Sequence, residues 1–284
     1  MLGGNHAATG AAAWVLLSSQ AQIPLTLLET AVAGAAPGIG QALPEVLTLG
    51  FGAFDDTPGG VATGALVCAG AALLPDADHR NASIARSLPP VTEALCRTVG
   101  RIAGGHRQGT HSLLGIVAVV VLAWLVGLWT IDAAGGAPIY VGAGLASVLL
   151  VSLAAKALKF IPDTMRKTPW LVGGACGLAV AFFSSADPRW FVTAVGLGAA
   201  VHLAGDLLTV GGINLLWPVR IRRPRALRHA PVISSMWRPN GHVAVPLLGA
   251  TGSWREWALS VPVAAYALFG MCVSVSGTLT HYFG

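Results

Sequence analysis

From residue 8 to residue 279 the sequence alternates between apolar runs and polar connections, with runs over 8–33, 59–75, 111–131, 139–158, 170–185, 190–209 and 257–279. A stretch of roughly 20 apolar residues has the length of a helix through the ~30 Å hydrocarbon core of a bilayer. Only 10% of the residues are charged, against about 25% in a soluble domain. The chain therefore reads as an integral membrane protein. Its expected fold is all-α, a polytopic bundle of about seven apolar segments forming one membrane domain over residues 1–284. The first run is interrupted by Gln20, Gln22 and Pro24, and the second and fifth are short for a span. Small residues such as Gly142, Gly144, Gly173, Gly174, Gly196 and Gly198 suit close helix contacts.

The connections alternate in charge. Arg80, Arg86, Arg97, Arg101 and Arg107 lie in loop 76–110, and Lys156, Lys159, Arg166 and Lys167 around the next alternate loop. Arg220, Arg222, Arg223, Arg225, Arg228, Arg238 and Arg255 lie in 210–256, so 16 of the 17 basic residues fall in alternate connections and Arg189 is the exception. Loop 34–58 carries only Glu45, Asp55 and Asp56, and loop 132–138 only Asp132. Positive loops stay in the cytoplasm. An inner (plasma) membrane protein with a cytoplasmic N-terminus and an outside C-terminus is expected, with 210–256 a cytoplasmic loop region. The net charge of +5 is thus explained by topology and anionic lipid, and no nucleic-acid partner is expected. Met1 to His6 lacks the positive flank of a cleaved signal peptide. Cys68, Cys96, Cys176 and Cys272 show no CxxC spacing and read as free thiols.

Within loop 76–110, residues 90–102 form an amphipathic helix pattern. Val91, Leu95, Val99 and Ile102 share one face, and Glu93, Arg97 and Arg101 another. An interfacial position and ordinary packing on the bundle both fit it.

Asp76, Asp78 and His79 close the second apolar run. Carboxylates and imidazole are costly near a bilayer and mark a functional site there. They are also ligands for zinc or manganese. His106, Arg107, Thr110, His111 and Ser112 lie at the start of the third run, His202 and Asp206 end the sixth, and His6 opens the first. The basic residues alone place all four groups at one membrane depth. His202 and Asp206 are spaced i, i+4, which puts them on one helix face. Such a pair alone also serves helix packing. Thr110 or Ser112 is expected to cap the following helix, whose N-terminus could hold a phosphate, with Arg107 as an oxyanion contact. His229 and His242, in the Arg-rich loop, read as solvated, and His281, past the last run, as incidental.

The ordered motifs Asn5-His6, Leu73 to His79, Gly105 to Ser112 and His202 to Thr209, continuing through Gly212 to Trp217-Pro218, resemble the signature of the YdjM-type membrane-bound metal-dependent hydrolases. That family is distantly similar to zinc-dependent phospholipase C and P1-type nucleases. The resemblance implies metal-assisted phosphoester hydrolysis, with residues 139–185 additional to shorter members.

The expected ligands are His6, Asp76, Asp78, His79, His106, His111, His202 and Asp206, holding one to three divalent ions at the cytoplasmic face. Zinc is preferred, with manganese or magnesium as alternatives. Asp76 is the expected proton acceptor, and Arg107, Thr110, Ser112 and Thr209 are the candidate substrate contacts. The expected partner is a membrane lipid or lipid-linked phosphoester. Two other classes fit the same polar residues: an ion or solute transporter, and a structural protein stapled by a metal.

Overall fold

The computed structural model of the protein describes residues 1–24, 46–54, 58–79, 81, 82, 84–87, 90–133, 136, 138–159, 161, 165, 167–184 and 189–283. Among them the long helices are α1 (Gly3–Ser18), α2 (Pro58–Ala71), α4 (Leu113–Gly127), α5 (Val141–Ala157), α6 (Thr168–Phe183), α7 (Arg189–Leu207) and α9 (Trp254–Phe283). Shorter elements are α3 (Val91–Ile102), α8 (Pro231–Met236) and 3-10 turns at Pro75–Asp78, Gly109–His111 and Arg225–His229. Two small antiparallel sheets pair β1 (Ala21–Pro24) with β2 (Val46–Leu49), and β3 (Ile131–Asp132) with β4 (Pro138–Ile139).

The first apolar run does not form one span. α1 begins at Gly3, earlier than expected, and stops at Ser18. Its last carbonyls already have partners: Ser18 and Ser19 hydroxyls donate to Trp14 and Val15, and the N–H groups of Phe51 and Ala53 to Leu16 and Leu17. Pro24 then ends a short strand. Residues 25–33 of the expected run, and the acidic residues Glu45, Asp55 and Asp56, lie outside the described residues. Three described helical stretches are long and apolar enough to cross a membrane, Gly60–Asp78, Arg189–Leu207 and Trp254–Ser276. Leu113–Gly127, Val141–Ala157 and Thr168–Phe183 are shorter apolar helices.

The helices alternate in direction. α2 runs antiparallel to α1, with Gly10 lying against Cys68 and Ala69. α6 returns along α5, where the Ser152 hydroxyl donates to Pro169 O and Tyr140 N to Ala181 O. α9 runs parallel to α1, with Glu256 beside Leu2 and Asn5 at one end and Gly270 beside Val15 further along. The result gathers the start of α1 and the ends of α2 and α7 at one end of the bundle.

Two glycines set how closely these three helices approach. A Cβ at Gly10 would lie 2.9 Å from Ala72 Cβ, and one at Gly198 would lie 2.8 Å from Ala71 Cβ. Any side chain there would force α1 or α7 away from α2. Gly10 is one turn from His6 on α1, and Gly198, His202 and Asp206 follow at i, i+4, i+8 on α7. The same faces that pack most tightly carry the polar residues.

α3 keeps its apolar stripe outward: Val91 is 71% and Ile102 72% exposed, while Thr92 and Cys96 on another face are buried. Glu93 and Arg97 pair at 3.8 Å on the polar side. An exposed apolar stripe beside a charged one is the arrangement of a helix lying in a membrane interface.

Candidate metal centre

His6 and His202 enter the site from α1 and α7 with their rings stacked 3.7 Å apart at the centroids. Both are buried. His202 Nδ1 lies 2.6 Å from Ala72 O and donates to it, which leaves Nε2 with its lone pair toward the centre. The bond depends on the close approach that Gly198 allows one turn earlier.

His111 is oriented from the opposite side. Asp78 Oδ2 lies 3.3 Å from His111 Nδ1, and Thr110 Oγ1 lies 3.0 Å from it while donating to the same Asp78 oxygen at 2.6 Å. Asp78 Oδ1 accepts from His106 Nδ1 at 2.9 Å, and Oδ2 from Arg107 N at 3.1 Å. Asp78 is thus spent on holding two imidazoles and the loop between them. Burial would lower the pKa of His111, but the hydrogen bonds and charges of Asp76 and Asp78 outweigh it and raise the value to about 9.

With both Nδ1 atoms committed, the Nε2 atoms of His111 and His202 face each other at 3.1 Å. Asp76 Oδ1 stands 3.6 Å from His111 Nε2 and 3.7 Å from His202 Nε2, and Asp206 Oδ2 stands 3.6 Å from His111 Nε2. Donors around a tetrahedral zinc with bonds of 2.0–2.2 Å are separated by roughly 3.3–3.6 Å. These separations bracket that figure, so the donors fit one ion. A second indication is His6 Nδ1, a buried ring nitrogen without a hydrogen-bond partner. Two sets of side chains could hold a metal: buried His6, His202 and Asp206, and the more open Asp76, His106 and His111. The short distances across them make one interlocked cluster with room for one or two ions.

Asp206 is the carboxylate held by the most varied cationic groups. His6 Nε2 lies 3.3 Å from its Oδ1, which also meets the Met1 amine, and Arg107 Nε donates to its Oδ2 at 3.0 Å. Arg107 reaches it from a left-handed backbone conformation, φ 62°, which few non-glycine residues adopt. Its N–H donates to Asp78 and its carbonyl accepts from Asn214 N, so the conformation is fixed from both sides.

Several sequence expectations are relocated. His79 belongs to neither set; its Nδ1 accepts from Asn81 N at 3.3 Å and its ring is tilted 4.9 Å from that of His106. Arg107, expected on the substrate, has Nε on Asp206 and Nη1 3.4 Å from Thr209 Oγ1. Thr209 is buried and donates to Asp206 O. Ser112 is also buried: it caps α4 by accepting from Gly115 N and donates to Gly109 O. The Leu113 N–H donates to Leu215 O, so the start of α4 is not an open anion cradle. Neither Ser112 nor Thr209 reaches the surface as a substrate contact.

Two residues escaped the sequence reading. Glu256, fully buried at the start of α9, accepts from Leu2 N and Asn5 Nδ2 at 2.6 Å and from Gly252 N at 2.8 Å. It pins the start of α1 beside the site. Its signal in the sequence is that it is the sole carboxylate after Asp206, at the mouth of an apolar run. His242, expected to be solvated, is buried with Nε2 2.9 Å from Gln108 Nε2, and Gln108 Oε1 accepts from Asn214 Nδ2. Burial, with Arg107 and Arg220 nearby, lowers the His242 pKa, against a hydrogen bond to Gly211 that raises it. A neutral ring thus ties loop 210–253 to the His106–Ser112 turn. The four cysteines are free thiols as expected.

No curated protein and no solved structure matches the chain. A family model described as YdjM inner membrane protein matches residues 1–279. With apolar helices able to cross a membrane and a polar cluster built from the ordered motifs, the chain belongs to the YdjM inner membrane protein family.

Proposed function

We propose that the protein is a membrane-embedded metal-dependent hydrolase that cleaves a phosphoester at the cytoplasmic face of the inner membrane. One observation carries the reading: the donor cluster is closed on one side and open on the other. His6, His202 and Asp206 are sealed in the bundle, whereas the side chains of Asp76 and His106 are 23% and 39% exposed. A structural metal site is closed, whereas a catalytic one keeps a position for water or substrate. The confinement of polar groups to one end of the helices also favours hydrolysis over transport, which needs polar groups along a path.

His111, His202 and Asp206 would hold the ion, with His6 and His106 completing a second position and Asp76 standing beside it as proton acceptor in place of a ligand. Zinc suits this imidazole and carboxylate set, and manganese or magnesium are alternatives. When bound, such an ion lowers the pKa of water to about 7 and polarises a phosphoryl oxygen. Asp76, on the open side, accepts a proton from the attacking water. The water oxygen bonds to phosphorus, the ester P–O bond breaks, and Asp76 returns the proton to the leaving alkoxide. Asp78 fixes both imidazoles of the open side, and Arg107 holds Asp206 in place.

Metal analysis of the purified full chain, followed by a phosphoester screen on wild type and Asp76→Asn, tests this. Bound metal with hydrolysis that falls at least about 100-fold in Asp76→Asn supports it. Bound metal with no hydrolysis of any phosphoester would identify a staple instead.

A further inference from the structure

A cavity of about 610 Å³ lies against the cluster, within the range of about 300–1,000 Å³ usual for ligand pockets. Its walls come from α3 (Leu95, Val99), α4 (Ala118, Leu122), α5 (Leu149) and α7 (Val195). No charged side chain lines it, and Thr110 supplies its single hydroxyl. Thr110 is also the residue whose Oγ1 lies 2.6 Å from Asp78 and 3.0 Å from His111 Nδ1. Pro75 and Ala77, on either side of Asp76, form the same end of the wall. One end of an otherwise apolar chamber therefore abuts the candidate metal ligands, a match for an amphiphile with one apolar chain and a polar head.

Length and surroundings narrow the occupant. Along α4 the lining runs from Leu114 to Val126, thirteen residues whose Cα atoms span roughly 18 Å of helix. One leaflet of hydrocarbon is about 15 Å, half of a ~30 Å core. The cavity is thus as long as one acyl chain of the surrounding membrane. It opens past exposed Leu114, Ala118 and Leu122, on the face of α4 that carries exposed Leu113, Val117 and Val121. In an inner membrane that face meets lipid, and acyl chains are the apolar chains present there in bulk. The outward stripe of α3 sits beside the same opening, at headgroup level for an interfacial helix.

We propose that the cavity seats one acyl chain of a membrane phospholipid and so holds the headgroup phosphoester against the Asp76–His111 side of the cluster. The identity of the substrate rests on the hydrolase reading; the chain seat does not.

The test uses the full chain in nanodiscs of phosphatidylethanolamine and phosphatidylglycerol, with a trace of phosphatidylglycerol carrying a diazirine in one acyl chain. Chelator is present, so occupancy is read without turnover. Cross-links are expected at Leu149 and at Val195, which is buried and out of reach of lipid on the outer surface. Ala118→Phe, from an exposed position at the opening, should lower them about tenfold, while Val117→Phe, on the same helix outside the cavity, should leave them unchanged. Cross-links confined to outward residues such as Leu125 and Leu268, or unaltered by Ala118→Phe, would overturn the seat. So would displacement of the probe by an isoprenyl phosphate but not by unlabelled phosphatidylglycerol. With metal restored, loss of phospholipid cleavage in Ala118→Phe with retained cleavage of bis-p-nitrophenyl phosphate supports both ideas. Cavity cross-links without cleavage of either substrate would sustain the seat and reject the hydrolase.

Discussion

Asp206 answers to an imidazole, a guanidinium and an amine at once. Asp206→Asn keeps the shape and removes the charge, so metal affinity should fall by more than about 100-fold, read by titration with zinc, while the helix still inserts. Arg107→Lys keeps a charge but removes the fork that spans Asp206 and Thr209. It should lower metal affinity by about tenfold, as loss of a group supporting a ligand does. Intact affinity in both variants would dismiss the site. His111 supplies a pH dependence. Its folded pKa of about 9 lies above the ordinary 6.5, so in metal-free protein it adds stability below pH 6.5 that is lost as pH rises through about 9. Metal must displace that proton, so zinc affinity should rise with pH up to about 9, with proton release measurable by calorimetry in two buffers. Metal-free protein should show the opposite trend in melting temperature. The residues of this site were legible in the sequence because a bilayer leaves few reasons for His and Asp at the end of an apolar run. Their division into ligands and supports was not. Asp78 and Asp76 stand two positions apart with the same chemistry, and only the direction of each side chain separates them.

At the level of elements, the site is a by-product of helix contact. Gly198 lets α7 touch α2, and that contact brings His202 to Ala72 O. Gly198→Leu should cost about 1–3 kcal/mol through overpacking and should also remove metal, although the residue is no ligand. A thermal melt paired with metal analysis checks this; normal metal content in a destabilised variant would disconnect packing from the site. Helix positions were readable from apolar runs, and α3 from its period. The end of α1 was not: Gln20, Gln22 and Pro24 mark a weakened run, but nothing local shows that the chain leaves the helix at Ser18 to pair as a strand with Val46–Leu49, a contact distant in sequence. His242 was misjudged for a related reason. A loop rich in Arg and Pro reads as solvated, yet isolated bridges from Ile213 and Trp237 to Val243 fold it back over the site.

For the molecule as a whole, α1 carries the chain from His6 in the cluster to Ser18, shortly before the β1–β2 sheet, twelve residues further on or roughly 18 Å of helix. The two lie at opposite ends of the bundle, and the positive-inside pattern leads us to expect the cluster end in the cytoplasm. In a background with the four natural cysteines replaced by alanine, Thr98→Cys should react with an impermeant thiol reagent from the cytoplasmic side and Ala53→Cys from the other. Reaction of both from one side would refute the orientation. The distance along the chain between the ligands has a further consequence. Asp206 is made two hundred residues after His6. While the nascent chain threads through the membrane, α1 must wait with an imidazole lacking its partner until α7 emerges. A metal that needs both residues would be captured only once α7 is in place, and its binding would be a chemical mark that this late helix has arrived.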